Sequence, residues 1–190
     1  MATLNEDSIR ISCRHLVRYG DTDLFPPLPE IAFIQDCEDE VSAVLSKVEP
    51  GTYVAKTAIS SLAPKGRLGF RSAHQLGLTD NLLLLGSVIE IGPEIEKLRL
   101  PSDAMAAFSY RFSPQKSGEI FASGCTFRDW MAVQKKGIES ESGPLTILAT
   151  DISDFYQRIY THRLEGFFWR HQKFEPCREF HHQNNKSHKG

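Results

Sequence analysis

The chemistry this chain could perform gathers around Asp151. It follows the apolar run from Leu145 to Thr150 and precedes Ile152, Ser153, Asp154 and the aromatic pair Phe155 and Tyr156. β-Branched and aliphatic residues predict a strand over 145–150. A carboxylate fixed at the end of a buried strand is rigid and open on one side, which suits it to hold Mg²⁺. The backbone carbonyl of Ile152 is a second hard oxygen beside it, with waters filling the remaining positions. Asp154 falls after the turn and reads as exposed. A Thr-Asp pair at a strand end also fits a helix cap or a turn, so residue types alone leave both readings open.

The elements that must position this aspartate are legible as periodicities. Residues 8–19 are rich in β-formers but alternate imperfectly, leaving strand and short helix both open. Glu30 to Val48 carries Ile31, Ile34, Val41, Val44, Leu45 and Val48 at near-helical spacing, predicting one amphipathic helix stopped at Pro50-Gly51. Tyr53 to Ile59 suits a strand, and Pro64 to Arg71 is a glycine-punctuated basic loop at the tip of a hairpin. Asn81 to Leu98 predicts a second helix with Leu82, Leu85, Val88 or Ile89, and Ile95 inward, Asp80 in its capping region and Pro93 as a kink. Ala106 to Ser123 predicts a hairpin turning at 113–118. Phe127 to Ile138 predicts a helix with Trp130, Met131 and Val133 inward, and 160–169 another. The whole is an α+β pattern. From His171 the periodicity ends, and 171–190, holding four of the seven histidines, reads as a tail.

Composition narrows the classes. The chain has 190 residues, 41% hydrophobic and 24% charged, enough for a real core. No apolar stretch approaches the ~20 residues of a membrane-spanning helix, and the N-terminus lacks an export signal, so the expectation is a cytoplasmic protein without membrane contact. Cys13, Cys37, Cys125 and Cys177 form no Cys-x-x-Cys pair, so free thiols are expected. The formal net charge is −2, but the charge is uneven. Residues 1–46 hold nine acidic and three basic side chains, and residues 47–116 hold nine basic and six acidic. A polyanion would meet the middle segment. No hydrolase triad, nucleophile elbow or phosphate loop is present.

Residues 150–165, Thr-Asp-Ile-Ser-Asp-Phe-Tyr-Gln-Arg-Ile-Tyr-Thr-His-Arg-Leu-Glu, resemble the catalytic-aspartate block Asp-Ile-x-x-Phe-(Phe/Tyr)-x-x-Ile-x-x-His of retron, group II intron and defence-associated reverse transcriptases. Glu94 to Arg99, Ser109 to Pro114 and Gly118 to Phe121 resemble the fingers segment that precedes it. Gln157 stands where many relatives carry proline. The resemblance implies the fingers and partial palm of a right-hand polymerase. Residues 1–50 would be an N-terminal helical or extended segment, 51–143 the fingers-like region and 144–170 the start of the palm. It further implies templated nucleotidyl transfer with two Mg²⁺ ions, Asp151 as metal ligand and Tyr156 as the aromatic under the nucleotide sugar. Arg111 and Arg99 would meet the incoming triphosphate. RNA template, DNA primer or product, and dNTP are the implied partners.

Such a site needs more carboxylates. No adjacent Asp-Asp pair occurs in the chain. The expectation is a polymerase truncated before its second aspartate motif and inactive by itself, its remaining half supplied elsewhere or by a partner chain. A non-catalytic nucleic-acid-binding module is the alternative, and a remnant with uncovered apolar surface is the third reading.

Overall fold

The computed structural model describes residues 4–49, 52–104, 107–148, 150–152, 155 and 159–160. Tyr156, Asp154, Gln157, the 161–169 part of the expected last helix and the 171–190 tail lie outside the described residues. The chain is α+β and divides into two compact units, Ala2–Glu141 and Ser142–Gly190, the latter with Met1.

In the first unit, α1 (Glu6–Tyr19) resolves the strand-or-helix question of residues 8–19 as helix. Asn5 caps it by accepting from the Asp7 N–H at 2.9 Å, and Gly20, at φ +76°, ends it with its N–H on the Leu16 carbonyl. Ser8, Ile9, Ser12, Cys13 and Leu16 form its buried stripe. The predicted single helix over 30–48 is two short ones, α2 (Ile31–Ile34) and α3 (Glu38–Leu45). The break falls at 35–37, where three successive polar or small residues leave nothing to bury on the inner face.

Tyr53 to Lys56 is not a strand. The Tyr53 hydroxyl donates to Asp80 Oδ1 at 2.9 Å and the Lys56 N–H reaches the same carboxylate at 3.4 Å, so this segment is tied to a helix start. Strand β1 begins later, at Ile59–Lys65, and pairs antiparallel with β2 (Gly69–Gln75) as a two-stranded hairpin.

Helix α4 (Leu78–Glu96) follows, with Asp80 buried in its first turn, where a carboxylate complements the helix dipole. Its inner face is Leu82, Leu83, Gly86, Ile89 and Gly92, and Val88 faces out. The core is the contact of α1 with α2, α3 and α4: Leu4, Ile9, Cys13, Leu16, Ile31, Ile34, Leu82 and Leu83. Gly86 makes that crossing close, since a Cβ there would stand 2.7 Å from Ile9 Cδ1.

Residues 107–125 double back as the expected hairpin in irregular form: Phe112 bridges Phe121 antiparallel, the Ser113 N–H donates to the Ile120 carbonyl and the Ala122 N–H to the Arg111 carbonyl, and the turn falls at 115–118 as anticipated. Its tip rests on α1. Gly118, at φ +97°, lies so close that a Cβ would be 2.8 Å from the Arg14 carbonyl carbon and 2.9 Å from the His15 nitrogen. Arg14 donates to the Lys116 carbonyl at 2.7 Å, His15 Nδ1 meets the Gly118 carbonyl at 2.8 Å, and Arg18 pairs with Glu119. Helix α5 (Phe127–Ser140) starts at a reciprocal cap between Thr126 and Asp129. None of its residues is buried, so Met131 and Val133 do not point inward as the spacing predicted.

In the second unit, residues 144–148 form no strand, and Leu145, Ile147 and Leu148 are exposed. The strand expected to carry Asp151 is therefore corrected to a segment without regular secondary structure over 144–148. Its aliphatic residues have β propensity but no partner strand among the described residues, and propensity without pairing does not make a sheet.

Gly118 and Gly124 both hold positive φ, but only Gly118 touches a neighbouring helix. Gly124→Ala is expected to cost ~1 kcal/mol through backbone conformation alone. Gly118→Ala is expected to cost at least ~2 kcal/mol, because α1 must also move. Paired thermal or urea unfolding curves read the difference; equal losses would mean the tip is not seated on α1.

Candidate nucleic-acid interface

The β1–β2 hairpin stands out for how little of it is covered. Only Ala63, Ala73 and Gln75 among its strand residues are buried. Gln75 anchors its base by donating to Asp21 Oδ2 at 2.8 Å and to the Pro26 carbonyl at 3.1 Å. The turn 66–68 closes through Gly66 at φ +68° and Gly69, where a Cβ would sit 2.9 Å from the Lys65 carbonyl oxygen.

Register sorts the side chains into two faces. Ser60 opposes His74, Leu62 opposes Ser72 and Pro64 opposes Phe70 on one face. His74 Nδ1 meets the Ser60 hydroxyl at 2.8 Å, a cross-strand contact that helps fix the register. The opposite face pairs Ser61 with Ala73, Ala63 with Arg71 and Lys65 with Gly69. Towards the tip the hairpin is thus apolar on one side (Leu62, Pro64, Phe70) and basic on the other (Lys65, Arg71), with Arg67 and Leu68 in the turn itself. Leu68 is 98% exposed and Phe70 is 70% exposed. Lys65, Arg67 and Arg71 enter none of the ion pairs among the described residues, whereas Arg10, Arg14, Arg18, Lys97, Arg99 and Arg111 all do.

Arg99 and Arg111 come together, but around Glu96. The Glu96 carboxylate lies 3.0 Å from Arg99 Nη1 and 2.5 Å from Arg111 Nε, and accepts from the Phe112 N–H at 3.0 Å. Arg99 also donates to the carbonyls of Ala107, Ser109 and Tyr110, and Arg111 to those of Leu100 and Ala107. Tyr110 holds φ +56°, a rare conformation for a side chain of its size, fixed by Arg99 on its carbonyl and by its own N–H on the Cys125 carbonyl. The Phe112 ring fills the space over Gly92, where a Cβ would stand 2.2 Å from it. These two arginines fasten the 107–112 segment to the end of α4. Burial pushes the Glu96 carboxyl up, but the Phe112 amide and the two guanidinium groups outweigh it, and its pKa is held below the ordinary 4.5.

Asp151 is exposed, and its Oδ1 accepts from the Ile152 N–H at 2.9 Å. Among the described residues no cluster of three or more His, Cys, Asp or Glu side chains could hold a metal ion. One surface carboxylate with one oxygen already engaged does not build a two-Mg²⁺ site, so these residues alone do not fit that group. The sequence located the basic loop at 64–71. What it could not give is the partition between cations already neutralised and cations left free, because that depends on Glu96 lying within reach of residues three and fifteen positions away. No family model, no curated protein and no solved structure matches this chain.

Removing the Glu96 charge isolates its role. Glu96→Gln is expected to destabilise the protein by ~2 kcal/mol, the usual range for hydrogen bonds to a charged group. The pH dependence has a definite sign. With a folded pKa below 4.5, the ionised carboxylate stabilises the fold fully above that value, and this contribution fades as pH falls through the lowered one. Urea titrations from neutral pH downward should show wild type losing its advantage over Glu96→Gln below pH 4.5. A constant gap across that range would exclude the clamp.

Proposed function

We propose that this chain is the fingers region and first aspartate segment of an RNA-directed DNA polymerase of the reverse transcriptase kind, acting in the cytoplasm on an RNA template, a DNA primer or product, and dNTP. The observation that carries the reading is the β1–β2 hairpin, an exposed element whose three cations enter no ion pair among the described residues. Guanidinium and ammonium groups left free on an exposed hairpin suit the phosphates of a nucleotide or a strand. Because Arg99 and Arg111 are engaged by Glu96 and backbone carbonyls, the phosphate-facing role passes to Lys65, Arg67 and Arg71. Phe70 and Leu62 on the adjoining face supply apolar surface on which a base can rest.

Asp151 contributes one exposed carboxylate in this reading, and Tyr156 the aromatic under the sugar. Asp151 alone does not complete a two-Mg²⁺ site, and no adjacent Asp-Asp pair occurs in the sequence. This reading therefore expects no nucleotidyl transfer from the chain by itself. The same three hairpin cations also support a second reading, a nucleic-acid-binding module without chemistry.

Filter binding of a single-stranded RNA oligonucleotide over a salt series tests the part common to both. Each phosphate contact adds about 0.7 to the slope of log affinity against log salt. Replacing Lys65, Arg67 and Arg71 together by alanine should lower that slope by roughly 2. A flat salt response in the wild type would remove both readings. Primer extension separates them. It is expected to be absent from this chain and to appear when the remaining carboxylates are supplied, then to vanish again in Asp151→Asn. Extension that survives Asp151→Asn would end the catalytic assignment.

A further inference from the structure

The described surface carries two groups of exposed apolar side chains flanked by charges of opposite sign. One is the end of the β1–β2 hairpin, with Leu68 and Phe70 exposed and Lys65, Arg67 and Arg71 unpaired. The other lies on α2, α3 and the turn between them. There Phe33 is 69% exposed and Val44 62% exposed. Asp36 is held three residues from Phe33 by its N–H on the Phe33 carbonyl, and Glu40 shares a face of α3 with Val44 one turn on. Glu30, Asp36 and Glu40 enter no ion pair among the described residues, unlike Glu38 and Asp39, which are engaged by Arg10 and Arg14 of α1.

We propose that a second copy of this chain covers these surfaces, the hairpin end of each copy resting on the Phe33–Val44 face of the other. Charge complementarity selects this occupant and this arrangement. Lys65, Arg67 and Arg71 meet Glu30, Asp36 and Glu40, and Leu68 and Phe70 meet Phe33 and Val44. Symmetric pairing of hairpin with hairpin would instead set six like charges against one another. The acidic face repels nucleic acid, so a polyanion cannot cover it. Each copy contributes one patch of each kind, so the proposed dimer joins both contacts about a two-fold axis. With a formal net charge of only −2 per chain, long-range repulsion does not oppose the approach. Single-stranded nucleic acid and the second copy then compete for the same three cations.

Sedimentation velocity over a concentration series tests the dimer, with two charge-reversed proteins as probes, Arg67→Glu with Arg71→Glu, and Asp36→Lys with Glu40→Lys. All four positions are exposed, and far-UV circular dichroism checks that each variant keeps its fold. The wild type should associate reversibly, more weakly as salt shortens the screening length from ~10 Å at 0.1 M to ~3 Å at 1 M. Each reversed protein alone should weaken association by at least about tenfold. Mixed in equal amounts they should recover it, because both contacts of the mixed dimer again join opposite charges. A wild type that stays monomeric, reversed proteins that associate as well as wild type, or a mixture that fails to recover would each overturn the proposal. The salt slope for RNA is read independently of all three results, so the dimer and the nucleic-acid reading can fail separately.

Discussion

Much of the first unit depends on where one carboxylate, Glu96, finds its partners. It sits in the last turn of α4 and accepts the Phe112 N–H while neutralising Arg99 and Arg111. Those guanidinium groups in turn satisfy the backbone carbonyls of Leu100, Ala107, Ser109 and Tyr110, which lie on either side of the short 3-10 turn Ser102–Ala104. Backbone acceptors outside regular structure still need partners. Here two long side chains are the partners, and they can approach each other only because a carboxylate lies between them.

A segment fastened at its base can be seated at its tip. Arg14 takes part at both levels, holding Glu38 of α3 with Nε and Nη2 and the Lys116 carbonyl with Nη1. Three glycines set the distances: Gly86 admits Ile9, Gly92 admits the Phe112 ring, and Gly118 admits the α1 backbone. The joint consequence is a division of labour among cations. Those of α1 and of the α4 end spend their charge on carboxylates and carbonyls of the same unit, and those of the β1–β2 hairpin do not. Net charge conceals this, since −2 is compatible with any distribution of paired and unpaired groups.

The sequence disclosed elements better than it disclosed partners. Helix α4, the basic hairpin tip, the 113–118 turn and helix α5 follow from local signals, an apolar period and glycine and proline punctuation. The failures share a cause. Tyr53 to Lys56 has strand-forming residues, but Asp80, far along the chain, claims its hydroxyl and amide. Residues 145–150 have them too, and no described neighbour pairs with them. Arg99 and Arg111 look available for phosphate until Glu96 is seen beside them. In each case the decisive contact is tertiary or lies one helical turn away on a face that periodicity does not mark.

The same distinction governs the candidate sites. Asp151 was singled out because a strand would hold its carboxylate rigid; without that strand its rigidity must come from other groups, and the described residues supply only the Ile152 amide. The hairpin is different, because its geometry is set within itself. Seven cross-strand pairs run from Ile59–Gln75 to Lys65–Gly69, and Gln75 ties the base to the 21–26 loop. Slipping the register by one residue would carry the buried Ala63 and Ala73 outward and turn Leu62 or Ser72 to the face they occupy. The placement of Lys65 and Arg71 on one face and Phe70 on the other is therefore set by the cross-strand register and by the two alanines buried on the basic face. That is why so exposed an element can present charge in a fixed arrangement.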